Sequence, residues 1–398
     1  MISMLAHARK PPVRQLPTSP LRVRTVTIED MTPGLISAWS ELEARAVEPN
    51  AYLSPHFVVP AIRYLDPSAP IFITLIETGA PGSPDLVGLG VFRGVVGTRR
   101  FPIPHLVAYR SRHSFLGGVL LDRERGPAAM DALFDHLHPL RYLWHGLELN
   151  DTWGDGPLSE MIGRATAERG LSRHEWDVRS RAVLMAHDGS DEPDKTMKAR
   201  DKSIKRCLRK LEERGRVTWT LHRHRPIAET AVESFLELEH RGWKGESGTS
   251  LRSNALDEVF FREVVSGFGA AGRALFTELK LDDQVIASTS NFVSGQSGFA
   301  FKTGWFPELA KMSPGVLNEV ELMRSFLQGP CSDLELFDSG AAEGSYIEKL
   351  WTGRRPLASN AIALSSMGRS VLRAGHTVRA FKQRLRAAGW LATEVDAA

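Results

Sequence analysis

Residues 312–320 read MSPGVLNEV and follow the alternating apolar run FAFKTGW (299–305). Ser313 is a favourable N-cap, and Pro314 suits the first helical position, where its missing N–H costs nothing. A helix is expected to start there. Val316, Leu317, Val320, Met323 and Leu327 recur at helical spacing, so one face of it is core. Three residues after the cap stands Val316 rather than Glu or Gln, so no capping box forms. The amides of Gly315, Val316 and Leu317 are then expected to lack side-chain acceptors, and Gly315 admits close approach to the backbone. Such a helix end attracts anions. An ordinary capped helix with solvated amides is the competing reading.

Around this stretch, the second half reads as a strand at 217–223, helices in 227–243 and near 255–266, and a three-strand meander at 274–281, 285–293 and 299–305. The helix from Ser313 follows, then LELFD (334–338) as a strand, SYIEKLW (345–351) as a short helix and LASNAIALS (357–365) as the last strand. The order is βααβββαβαβ. The first half repeats it: a strand at 21–28, helices at 35–46 and 56–65, a hairpin at 71–77 and 86–94, and a strand pair HLVAYR and FLGGVLL. A helix near 127–138, a strand at 142–149, a helix at 157–169 and a strand at 174–185 complete the repeat. The expected fold class is α/β, two tandem units, each a mixed, largely antiparallel sheet flanked by helices. The expected divisions are a disordered lead-in (1–20), an N-terminal domain (21–186), a basic linker helix (187–216), a C-terminal domain (217–366) and a C-terminal helix and tail (367–398).

The 398 residues exceed one typical core, and a net charge of +3 with a pI near 8.9 does not by itself indicate nucleic acid. Charge concentrates in KTMKARDKSIKRCLRKLEERGR (195–216), where a solvated linker helix is favoured over a nucleic-acid contact because no aromatics interleave to stack on bases. Two cysteines without CxxC spacing suit a reducing, cytoplasmic setting. No run is long and apolar enough to span a membrane, and the histidines show no ligand spacing, so no metal is expected.

The strand–turn–helix order resembles the GNAT acyltransferase fold. GWKGESGTSL (242–251), FKTGWFPELAKMSPGVL (301–317) and FDSGAAEGSYIEKLWTGRRPL (337–357) together resemble the tandem-GNAT, FemAB-like acetyltransferases, in particular the CelD/BcsL type associated with cellulose biosynthesis loci. EPNAYLSPHF (48–57) resembles a short stretch of their N-terminal domain. The resemblance implies acetyl-CoA as co-substrate, with the pyrophosphate at the turn and helix start formed by Ser313, Gly315, Val316 and Leu317, and Lys302 and Thr303 on the strand before it. Lys302 has an edge-strand lysine facing water as its plain alternative. The thioester would lie against residues 300–303. The resemblance makes Tyr346 the acid that protonates the leaving thiolate, and Trp243 and Lys244 substrate contacts; a helix C-cap is the plain reading of their loop. Glu278, Glu308 and Asp338 are unranked candidates for the base that deprotonates an amine acceptor of unknown identity. Two departures stand out: the family's acidic pair after the strand lysine is Phe306-Pro307 here, and its Gln/Arg-x-x-Gly-x-Gly/Ala turn is KMSPGVL. Two other functions fit the same pattern: peptide-bond formation from aminoacyl-tRNA, and a catalytically silent tandem domain acting as an interaction partner.

Overall fold

The computed structural model of the chain describes residues 20–79, 85–186, 192–224 and 226–387. All but the last residue of the expected lead-in, the first residues of the linker and the end of the tail lie outside these. The N-terminal half runs β1 (Arg22–Val26), α1 (Pro33–Ala44), α2 (Pro55–Pro60), β2 (Ile71–Thr78), β3 (Asp85–Val95), β4 (His105–Ala108), β5 (Leu120–Leu121), α3 (Gly126–Leu137), β6 (Gly146–Trp153), α4 (Pro157–Glu168) and β7 (Ser172–Met185). Helix α5 (Glu192–Glu212) leads to β8 (Val217–His222), α6 (Glu229–His240), α7 (Trp243–Glu246), α8 (Ala255–Ala270), β9 (Ala274–Leu281), β10 (Gln284–Ser294) and β11 (Ser297–Trp305). Then come α9 (Pro314–Gln328), β12 (Leu336–Asp338), β13 (Gly353–Ala363) and α10 (Ser366–Ala387).

The repeated order is present, yet the halves share one sheet. Its strands lie in the order β1-β2-β3-β4-β6-β13-β7-β12-β11-β10-β9-β8. The final strand of the second half, β13, is inserted between β6 and β7 of the first, and β7 pairs antiparallel with β12. Each half thus completes the other's sheet, which hides strand edges that two separate units would expose. HLVAYR and FLGGVLL do not pair with each other as expected: β4 and β5 each pair with β3. The strand expected at 142–149 lies further on, at Gly146–Trp153, because His138–Tyr142 forms a 3-10 turn beginning His-Pro.

An aromatic cluster binds the halves: Phe57 of α2 packs edge-on against Phe260 and Phe301, and Phe261 stacks on Phe301. Side chains this large dominate the energetics of a core. On α5, Ile204 and Leu211 are buried while Lys202, Arg206, Arg209 and Lys210 are exposed, the pattern of an amphipathic connecting helix. No described helix is long and apolar enough to cross a membrane.

Candidate active site

Strands β11 and β12 run parallel for only three register pairs, Ser297–Phe299 against Leu336–Asp338. A β-bulge then shifts the β10–β11 register, so that Ser290 and Asn291 face Lys302 and Ala300 and leave Phe301 as the extra residue. Bulges bend a strand and re-aim its side chains. Beyond Phe299 the strands part. At the end of β12, Gly340 adopts φ +63°, and a Cβ there would fall 2.8 Å from the Ala300 carbonyl, so glycine is required twice over. That same carbonyl accepts a hydrogen bond of 3.0 Å from the Tyr52 hydroxyl of the N-terminal half, which gives the 48–57 stretch a structural reason. Tyr52→Phe is expected to cost about 1 kcal/mol and to speed amide exchange over 299–303, measured by hydrogen exchange of the folded protein.

Between the parted strands lies a cavity of about 160 Å³ bordered by Phe115, Asn291, Lys302, Glu319, Tyr346 and Trp351 among others. It is large enough for an acyl group and the end of its carrier. Two polar atoms of its lining residues are orphaned among the described residues: the Glu319 Oε2 and the Trp351 Nε1 are buried with no hydrogen-bond partner. Such groups are costly unless a ligand satisfies them. Burial alone pushes the Glu319 carboxyl up to about 7. Tyr346 is 47% exposed, yet desolvation of its phenol at the cavity wall, with the Glu319 charge second, raises it well above its ordinary value, so it stays protonated. Beneath the cavity the side chains of Trp219, Asn318, Thr277, Thr289 and Asn291 form a connected hydrogen-bond chain that holds α9 on the sheet.

Lys302 borders the cavity, makes no hydrogen bond or ion pair among the described residues, and has its pKa lowered by burial. Thr303 borders both this cavity and a second hollow of about 300 Å³ beside Glu239, Arg241 and Lys244. Lys244 is committed there: its Nζ donates to the Thr303 carbonyl at 2.9 Å and lies 3.5 Å from Glu239, so it fixes the strand from behind. The side chain of Trp243 lies outside what the structure describes.

The helix start differs in detail from expectation. Ser313 occupies the N-cap position in the left-handed region, φ +49°, and its hydroxyl makes no cap bond. The Leu317 amide is satisfied by the Ser313 carbonyl at 3.1 Å, and the Leu317 side chain is core. No side chain accepts from Gly315 or Val316 among the described residues. The space that Gly315 leaves is met by Trp305, 3.2 Å from where a Cβ would stand, so the close approach is an indole's.

Of the candidate bases, none borders the cavity. Glu278 sits on β9, across β10 from the cleft. Burial favours its neutral form, but hydrogen bonds from His222 and Lys280, each at 3.0 Å, prevail and lower its pKa. Glu308 is exposed in the 3-10 turn Pro307–Met312. Asp338 is fully buried, 3.3 Å from Arg181 of β7, and accepts from the Gly340 amide at 3.0 Å; its burial has an internal structural partner. Sequence reasoning missed Glu319 and Trp351. The signal available for Glu319 was a carboxyl beside Val320 on the apolar face of a helix otherwise read as core.

The N-terminal half has the equivalent divergence, with β4 and β6 parallel for two register pairs. There Arg110, Asp151 and Arg179 join in ion pairs. The loop after β4 instead serves the other half: it brings Phe115 to the C-terminal cavity and Arg112 to Asp257.

Residues 198–346 match the model of the acetyltransferase (GNAT) domain. No curated protein matches the chain. Among solved structures, FemX is similar with a TM-score of 0.53 at 10% identity, over 85% of this chain and 96% of that one. A conserved protein of unknown function from Bacteroides thetaiotaomicron VPI-5482 is similar at 0.53 and 12%, over 86% and 100%. The C-terminal domain of a putative lysylphosphatidylglycerol synthetase from Agrobacterium fabrum is similar at 0.51 and 10%, over 86% and 95%. With its repeated element order, its parted strands and the domain match on its second half, this chain has a tandem GNAT-like fold.

Proposed function

We propose that the chain is an N-acyltransferase that moves an acyl group, acetyl first, from a coenzyme A thioester to an amine. One observation carries the reading: a buried carboxyl without a partner, Glu319, shares a cavity at parted strands with a protonated phenol, Tyr346, and an unpartnered indole N–H, Trp351. The amine attacks the thioester carbonyl carbon and Glu319 takes the proton it loses. The C–S bond breaks as the amide forms. Tyr346 protonates the departing thiolate and regains a proton from solvent. The Trp351 N–H is the donor available to the carbonyl oxygen as it gathers charge. Lys302 and the amides of Gly315 and Val316 supply positive potential for the phosphates of the carrier.

The setting we assign is the cytoplasm. The CelD/BcsL resemblance makes an amine linked to exopolysaccharide or cellulose synthesis the first acceptor to try. A second donor, an aminoacyl-tRNA, draws support from the exposed Lys202, Arg206, Arg209 and Lys210 on α5.

Titration calorimetry with acetyl-CoA, and with charged and uncharged tRNA, decides between the donors. The parent is expected to bind acetyl-CoA. Lys302→Ala weakens that binding roughly tenfold, with a flatter salt dependence. Gly315→Val, which must displace the Trp305 indole, weakens it as well, whereas Ser313→Ala, which removes no cap bond, leaves it unchanged. Selective binding of charged tRNA without acetyl-CoA binding would transfer the reading to the aminoacyl donor.

A further inference from the structure

Five of the ten exposed large hydrophobic side chains among the described residues come from segments that meet at one end of the sheet, where β13 finishes, the opposite end of that strand from the cleft's Trp351: Val96, Leu140, Tyr142, Leu143 and Met367. Val96, Tyr142 and Leu143 are 88%, 78% and 60% exposed. Contacts between them bring their segments together. A Cβ on Gly94 would touch the Trp144 ring, the His145 amide donates to the Pro104 carbonyl at 2.8 Å, and the His145 ring is 3.0 Å from the Ser365 hydroxyl. Gly146 and Gly368 both abut Phe101.

The three segments are basic, and the exposed carboxylates Glu175 and Asp177, beside the Trp176 ring that Arg100 covers, are each paired with an arginine, Arg173 and Arg179. Segments 94–104, 136–145 and 364–376 carry five arginines, Arg99, Arg100, Arg141, Arg369 and Arg373, and no Asp or Glu. Beside them opens a hollow of about 590 Å³ bordered by His138, Arg141, Arg169 and Arg369. Its single lining carboxylate, Asp135, is paired with Arg169 at 2.8 Å. Single aliphatic and aromatic side chains protruding from short turns, ringed by arginine, form no groove for a helix or strand. They match an interface that is apolar below and anionic at its surface.

We propose that this end of the N-terminal half docks on an anionic phospholipid surface, with Val96, Tyr142 and Leu143 entering the headgroup boundary and the arginines facing lipid phosphates. The proposal stands apart from the acyl-transfer reading. It concerns a surface away from the cleft, and its test uses no acyl donor.

The test is co-sedimentation of the full chain with phosphatidylcholine vesicles, with and without phosphatidylglycerol, a lipid that has no amine to occupy the acceptor site. Binding is expected only with phosphatidylglycerol, and it weakens as salt is raised. Arg99→Glu with Arg100→Glu is expected to reduce it by about tenfold or more. Tyr142→Ser with Leu143→Ser, both exposed and so compatible with folding, is expected to reduce it comparably, with unchanged circular dichroism. Equal partition of parent and variants, or no partition of the parent, overturns the proposal and leaves an acidic protein as the partner to seek.

Discussion

Glu319→Gln is expected to lose roughly two to four orders of magnitude in acyl transfer at neutral pH while folding as the parent does. Thiol release from acetyl-CoA, with a small primary amine as surrogate acceptor, reads the rate. In the parent the rate rises with pH through about 7, because only the ionised carboxylate accepts the amine's proton and burial holds its pKa there. The variant lacks that rise. The same shift has a consequence for stability. The folded carboxyl, near 7, binds its proton more tightly than the unfolded one at its ordinary value of 4.5. Between those values the unfolded state carries fewer protons, so stability falls as pH rises through the window and is level above it. Glu319→Gln removes this fall, so its melting temperature gains on the parent's from pH 4.5 to 7. Normal turnover in Glu319→Gln would place the base elsewhere.

Asp338→Ala carries the largest expected effect on stability. Its carboxylate is 0% exposed and the Arg181 side chain beside it 6%, so the substitution strands a buried guanidinium at the junction of β7 and β12. Breaking such a pair costs about 3–5 kcal/mol, whereas replacing both partners by apolar groups is often close to neutral. Urea unfolding of Asp338→Ala, and of Asp338→Leu combined with Arg181→Met, separates the two cases. Part of the loss is expected to remain in the double variant, because Arg181 also donates to the Phe115 carbonyl at 2.7 Å. Unchanged stability with abolished turnover would return Asp338 to the list of candidate bases.

What local chemistry controls was legible in the residues alone. Alternation at 274–281 and 299–305 specifies strands, and the apolar period after Pro314 specifies α9 and part of its core face: Leu317, Val320 and Met323 are buried as expected, whereas Leu327 is exposed and Leu322 and Phe326 are buried in addition. The repeated order of elements is equally local, and its resemblance to the GNAT order, with the stretches at 242–251, 301–317 and 337–357, points to the tandem GNAT-like class. Strand partners depend on long-range packing. Any alternating strand can pair with any other, so nothing in LASNAIALS announces that β13 crosses into the first half, between β6 and β7. Nor could the partners of Lys244, Asp338 or Glu278 be read from the sequence, because Thr303, Arg181 and His222 each lie far away along the chain. Glu319 is the converse. Helical periodicity places its side chain, but the parting of β11 from β12 is what leaves a cavity over it, where its carboxyl stays buried with no partner among the described residues.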